Sequence, residues 1–200
     1  MDLGRAGAGE PRQTAGFVLA GGRSTRMGRD KALLPYRGQP LILHVAAEVA
    51  KAAGYVTIVG GPATYRDLGF PYIADKYPDF GPVGGIATAL STSSAEWNVI
   101  VACDMPGLRA QFLRTLWSHI AVNLDAVVPR TPDDRVHPLC AIYNLAALPV
   151  FEAAIQQQIH KLTELLPRLR VRFADTKDSN SCLNMNTPQD WTLFQKADTI

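Results

Sequence analysis

The sequence predicts an α/β fold, a three-layer sandwich built round a Rossmann-like, mostly parallel sheet. Three observations predict it. Short apolar runs alternate with longer segments of helical period, the pattern of strands joined by crossover helices. The first run opens into a glycine-rich basic loop, "VLAGGRSTRMGRDKALL" from Val18. The clearest buried run, "WNVIVACDMP", places Asp104 just past its apolar residues, and in such sheets ligands gather at the carboxyl ends of the strands.

Each element follows from its local pattern. "GFVLA" (Gly16 to Ala20) is the first buried strand. "LILHVAAEVAKAAG" repeats apolar residues at intervals of three and four and stops at Gly54, so Leu41 to Ala53 is a helix with a glycine C-cap. Strands follow at Tyr55 to Gly60 and Tyr72 to Asp75, and "GPVGGIATALST" is expected to begin as a glycine loop and continue as a helix. The second half alternates less cleanly. It gives a helix over Arg109 to Ile120, strands at Asp125 to Pro129 and Pro138 to Tyr143, a helix from Leu145 to His160 and a strand at Val171 to Asp175. "NTPQDW" starts a last helix, Thr187 to Lys196, with Thr187 as N-cap and Pro188 in the first turn.

At 200 residues, 47% of them hydrophobic, the chain can bury a full core as one domain. Residues 1–14 are Gly/Ala/polar-rich and are expected to form a loose tail, with a single domain over 15–200. A net charge of +2, from 20 Lys+Arg against 18 Asp+Glu, is too small for bulk attraction to nucleic acid or an anionic membrane. The three cysteines, Cys103, Cys140 and Cys182, are far apart and lack C-x-x-C spacing, which favours a reducing, cytoplasmic compartment over a disulfide framework or zinc knuckle. No signal-like apolar segment or run of about eighteen apolar residues is present.

A glycine loop leaving a first strand points backbone N–H groups into a crevice where a phosphate can approach closely. Gly21, Gly22 and Gly28 can do that here. The spacing fits neither standard fingerprint: five residues separate Gly22 from Gly28 instead of four, Arg29 stands where a P-loop needs Lys, and no third glycine completes G-x-G-x-x-G. Arg23, Arg26 and Lys31 add mobile positive charge, which suits a triphosphate.

The loop L-A-G-G-x-S-x-R-M-G-x-D-K resembles the signature of the sugar-nucleotide-like nucleotidyltransferases. "GPVGG" after the Asp75 strand, "ACDMP", "HPLCAIY" and "NMNTPQD" follow in order, and with them the chain is similar to the molybdenum cofactor guanylyltransferases over most of its length from Gly16. The resemblance implies the nucleotide-diphospho-sugar transferase type of fold. It also implies transfer of GMP from GTP to the phosphate of molybdopterin or molybdenum cofactor, with pyrophosphate leaving and cofactor-insertion and acceptor enzymes downstream.

It further implies nucleotide binding by Leu19, Ala20, Gly21, Gly22, Lys31, Asp75 and Asp104, with Lys31, Arg26 and Asp104 supporting catalysis. Asp104 is the expected ligand of Mg²⁺, with Mn²⁺ as an alternative, because one carboxylate plus phosphate oxygens and waters suffices for that ion; its plainer role would be capping the following helix. Asp75 could bind the N1 and N2 donors of guanine or a ribose hydroxyl, and its bland alternative is a solvated loop acid. His137 suits hydrogen bonding or positioning better than general-base work, since the incoming phosphate is already ionised at neutral pH. Asn184 and Asn186, two apart in an extended segment, point the same way, and the resemblance assigns them, with His137, to the pterin. In one respect the chain departs from the pattern. Where relatives commonly carry an asparagine after the second strand, it has Gly60 and Gly61.

Two rival functions remain open at this level. One is cytidylyl or sugar-phosphate nucleotidyl transfer on the same fold. Cytidylyl relatives usually read A-A-G where this chain reads A-G-G, and the methyl missing at Gly21 favours a purine. The other is a non-catalytic nucleotide-binding relative, against which the joint presence of Lys31, Asp75 and Asp104 argues.

Overall fold

The computed structural model describes residues 14–21, 30–185 and 187–198, leaving aside the side chains of 64 and 196–198. In chain order the elements are β1 (Thr14–Leu19), β2 (Pro35–Tyr36), β3 (Gln39–Pro40), α1 (Leu41–Ala53), β4 (Val56–Val59), β5 (Tyr72–Ile73), α2 (Gly81–Thr92), β6 (Trp97–Ala102) and α3 (Ala110–Trp117). Then come β7 (Ala126–Arg130), β8 (Cys140–Asn144), α4 (Leu148–Gln156), α5 (Leu162–Leu165), β9 (Val171–Asp175) and α6 (Pro188–Asp198). Short 3-10 turns fill several of the connections.

Seven strands form one sheet in the order β5-β4-β1-β6-β8-β7-β9, with β2 and β3 as a separate hairpin. Only β8 runs antiparallel to its neighbours, β6 and β7, so the other six strands put their carboxyl ends on one edge. The chain moves outward from β1 through β4 to β5 and returns on the other side of β1 at β6. That reversal is a topological switch point, the place outside the carboxyl ends of the strands where sheets of this kind hold their ligand crevice.

Strand residues alternate between the two faces, as the two-residue period requires. Val18, Ile58, Val99 and Val101 face α1 and α3 in one buried cluster, against which Trp191 and Phe194 of α6 also pack. Phe17, Leu19, Val59 and Ile100 face α2, α4 and α5 in the other. All six residues of β6 are buried. Its one polar member, Asn98, is reconciled with the interior by donating to the carbonyls of Ala95 (3.2 Å) and Tyr143 (3.4 Å) and accepting from Ser93 Oγ (2.5 Å).

The expected elements are present with shifted ends. Thr14, expected in the tail, opens β1, where it pairs with Trp97 and its hydroxyl donates to the Ala53 carbonyl at 3.0 Å. The helix expected over Leu145 to His160 is interrupted: Asn144 caps a 3-10 turn by accepting from Ala146 N (2.8 Å), and α4 ends at Gln156, close to the positive φ of Gln158. The glycines of "GPVGG" are not a loop before α2 but its first turns. Gly84 is glycine because the Tyr77 carbonyl lies closer to it than any Cβ could tolerate.

Candidate active site

β1 and β6 end side by side, with Leu19 opposite Ala102 and the Leu19 carbonyl accepting from Cys103 N at 3.1 Å. Beyond Leu19, Ala20 N donates to the Val59 carbonyl at 2.8 Å, so Ala20 and the exposed Gly21 sit at the switch-point crevice with the ends of β4 and β6 on either side. Beyond Ala102 the chain turns through Cys103 and Asp104. Burial, and then the neighbouring Asp104, pushes the Cys103 thiol well above its usual range. It packs beside the core as a small residue and offers no thiolate.

The Asp104 side chain is only 14% exposed, and its Oδ2 lies 3.6 Å from Lys31 Nζ. Its Oδ1 is buried with no hydrogen-bond partner among the described residues. Burial raises the pKa of this carboxyl, while the adjacent Lys31 ammonium draws it back toward the charged form. An orphaned buried acceptor costs about 1–3 kcal/mol, and a native fold that keeps one needs a reason, such as a role in binding an ion. A hard oxygen donor beside a cation fits a divalent metal completed by phosphate oxygens and waters. No cluster of three or more His, Cys, Asp or Glu that could cage a metal by itself occurs among the described residues, so the substrate would have to complete the shell.

Lys31 opens a 3-10 turn, Lys31–Leu33, whose cap is Asp30: Oδ1 accepts from Ala32 N at 3.1 Å, and Oδ2 accepts from the Tyr65 hydroxyl. Asp75 follows β5. Its Oδ1 accepts from Tyr77 N (2.9 Å) and from Thr88 Oγ1 of α2 (2.7 Å), while the Lys76 ammonium donates to Ser91 Oγ. Asp75 is thus a fixed wall of the crevice and not a solvated loop acid.

Gly60 and Gly61 both have φ +77°, a region costly for most side chains. A methyl group on Gly60 would stand 3.4 Å from Asp75 Cβ and 3.5 Å from the Ala20 carbonyl oxygen, which places Asp75 against the start of the signature loop. One on Gly61 would be 2.5 Å from that same oxygen and 2.7 Å from the Tyr65 ring. The room an asparagine side chain would need beside Gly61 is taken by Tyr65 and Ala20.

The C-terminal segment reaches the crevice from the other side. Met185 N donates to the Asp104 carbonyl (2.9 Å) and Ser181 Oγ lies 3.4 Å from the Gly107 carbonyl, so half-buried Asn184 is held next to the Asp104 turn. His137, on the connection from β7 to β8, is 7% exposed with Nε2 3.1 Å from Thr131 Oγ1. Burial lowers its pKa, so the ring stays neutral more readily than a free imidazole. At this edge the fold gathers Leu19, Ala20, Gly21, Lys31, Asp75, Asp104 and Asn184, with His137 tucked behind its own loop. Gly22, Arg26 and Asn186, with Arg23 and Gly28, lie outside the described residues.

Sequence reasoning missed Tyr65, Thr88 and the double role of Asp30. Asp30 stands in the quoted loop motif, whereas Tyr65 and Thr88 acquire meaning only through contacts across the crevice wall.

Comparisons agree with this architecture. Over residues 16–172 the sequence matches the family described as MobA-like NTP transferase domain. A molybdenum cofactor guanylyltransferase of Yersinia pestis is 32% identical over 188 residues, covering 90% of this chain and 94% of that protein. The solved structure of molybdopterin-guanine dinucleotide biosynthesis protein A from Archaeoglobus fulgidus superposes with a TM-score of 0.80 at 26% identity, covering 92% of this chain and 98% of that one. A Mycobacterium tuberculosis protein crystallised with manganese shares the fold at a TM-score of 0.65 and 22% identity, over 92% and 99% of the two chains. No helix among the described residues is long and apolar enough to cross a membrane. With more than half of its length matched by that family, the chain belongs to the MobA-like NTP transferases.

Proposed function

We propose that this chain transfers GMP from GTP to the terminal phosphate of molybdenum cofactor or molybdopterin, releasing pyrophosphate. The observation that carries the reading is the Lys31–Asp104 pair at the switch-point crevice, with Asp104 Oδ1 buried and unpartnered among the described residues, in a chain whose relatives at about 30% identity bear this activity in their names. An oxygen of the pterin phosphate attacks the α-phosphorus of GTP, the bond from that phosphorus to the bridging α–β oxygen breaks, and the electron pair leaves with pyrophosphate. The attacking phosphate is ionised at neutral pH, so no protein base is required.

The protein's part is positioning and charge neutralisation. Lys31 holds the outer phosphates as a point charge, and Arg26 is assigned to the same task from the motif. Asp104 would hold Mg²⁺, or Mn²⁺ in its place, and the ion when bound offsets charge on the phosphate oxygens. Asp75, fixed by Thr88, takes the base or ribose side, while Asn184, Asn186 and His137 belong to the pterin side. Cofactor-insertion and acceptor enzymes are the expected recipients of the product.

A radiolabelled transfer assay with molybdenum cofactor and each of GTP, CTP, ATP and UTP tests the proposal. Product and pyrophosphate are expected with GTP and Mg²⁺. Transfer from CTP in preference to GTP would reassign the chain as a cytidylyltransferase, and binding of every nucleotide without turnover would leave only a nucleotide-binding protein.

A further inference from the structure

Tyr65 lies on the 3-10 turn that follows β4, Ala63–Leu68, far in sequence from the lysine and the carboxylate of the crevice. It is 2% exposed. Its hydroxyl nevertheless reaches Asp30 Oδ2, while Asp30 Oδ1 caps the turn that begins with Lys31. Its ring fills space beside Gly61 that a side chain would occupy, a space the Ala20 carbonyl also borders. Tyr65 therefore links two parts of the nucleotide side: the Gly61 turn, which lies against the Ala20 carbonyl where β1 ends, and Asp30, the residue before Lys31.

We propose that Tyr65 is a positioning residue for the triphosphate, acting through Asp30 to set where the Lys31 ammonium stands. The inference rests on the assignment of Lys31 to the outer phosphates. Lys31 has a long, rotatable stem, and its backbone is the start of a single short turn. A charged acceptor fixed by a buried hydroxyl on one oxygen and by a backbone N–H on the other removes freedom from that turn before any ligand arrives. Preorganisation of this kind lowers the ordering cost paid on binding. Burial, and then the bond to Asp30, pushes the Tyr65 pKa well above its usual range, so the hydroxyl remains a donor throughout the working pH range.

Tyr65→Phe tests this while keeping the ring that packs on Gly61. Binding of inorganic tripolyphosphate and of GMP is measured calorimetrically on the wild type, Tyr65→Phe, Lys31→Ala and the double variant. The expected result is about a tenfold loss for tripolyphosphate in Tyr65→Phe, the scale of one hydrogen bond to a charged group, with GMP changed less than about twofold and the double variant no weaker than Lys31→Ala alone. Equal loss for both ligands would make Tyr65 a merely structural residue and overturn the proposal. So would intact tripolyphosphate binding in Tyr65→Phe when Lys31→Ala has lost it, an outcome that spares the reading of Lys31. Undiminished binding in Lys31→Ala would overturn that reading and this inference together. Should Tyr65→Phe fold poorly, Asp30→Asn, which keeps a capping oxygen but removes the charge, takes its place under the same criteria.

Discussion

Lys31 Nζ and Asp104 Oδ2 stand 3.6 Å apart, with their side chains only 17% and 14% exposed. The separation is too long for a tight hydrogen-bonded pair, and Asp104 Oδ1 has no hydrogen-bond partner among the described residues. A cation and an anion side by side at strand ends suit a ligand carrying both charges, as a metal-bound triphosphate does: anionic oxygens toward the lysine, the divalent ion toward the carboxylate.

Asp104→Asn keeps the shape of the turn and removes the charge. Transfer in Mg²⁺ is expected to fall by about 10²-fold or more, the scale seen when a preorganised electrostatic contact is deleted from a transition state. Nucleotide binding without metal should stay within a few-fold of wild type, because the lost interaction is with the ion. Wild-type turnover of the Asn variant in Mg²⁺ would remove Asp104 from metal binding.

Acid sensitivity has a separate source, away from the crevice. His44 of α1 meets the Tyr36 ring edge-on at 4.8 Å between centroids, and its Nε2 is enclosed with no hydrogen-bond partner among the described residues. Burial lowers its pKa from 6.5, with nearby Glu48 partly opposing and Arg37 reinforcing the shift. A histidine depressed in the folded state is protonated first in the unfolded chain. Its contribution to stability is therefore complete above pH 6.5 and is lost as pH falls from there through the lower folded value. Urea unfolding between pH 8 and 5 should show stability falling on acidification below pH 6.5. His44→Phe should flatten that slope; an unchanged slope would place the sensitivity elsewhere, His137 being the next group shifted in the same direction.

How far the sequence disclosed this arrangement depends on the range of each interaction. β6 was legible because all its residues but Asn98 are apolar, and α1 because its apolar period ends at Gly54, which is left-handed at φ 80° as a glycine C-cap should be. Lys31 and Asp104 were legible because motif and strand end each mark one of them. The Tyr65–Asp30 bond joins residues 35 apart, and nothing local at either distinguishes it. α5 is only four residues long, too short to show a period, and Leu162 and Leu165 reveal their role only by being buried. The β2–β3 hairpin escaped for a different reason. Its strands are two residues each, and its turn signal, the positive φ of Arg37 and Gly38, comes from an arginine as much as from a glycine.

Asn184 provides the test of how the crevice is divided between its two substrates. The residue after it donates to the Asp104 carbonyl, and Ser181 Oγ, which donates to Asp178 Oδ2 at 2.7 Å, lies 3.4 Å from the Gly107 carbonyl, so the segment carrying Asn184 is built onto the turn that bears Asp104. A neutral amide there can bind a pterin edge or its phosphate without adding charge beside the triphosphate. Asn184→Ala removes that amide and leaves the backbone bond of Met185 available. The expected outcome is a loss of about tenfold in molybdenum cofactor binding, the scale of one hydrogen bond to a charged group, with the rise in melting temperature caused by GTP and Mg²⁺ unchanged. The two measurements belong on the same protein, because a ligand that binds only the folded state raises its melting temperature by mass action, and a preserved rise shows that the nucleotide half is intact. If GTP stabilisation disappears while the variant remains folded, Asn184 faces the nucleotide, and the pterin must enter from the β7–β8 side, past His137.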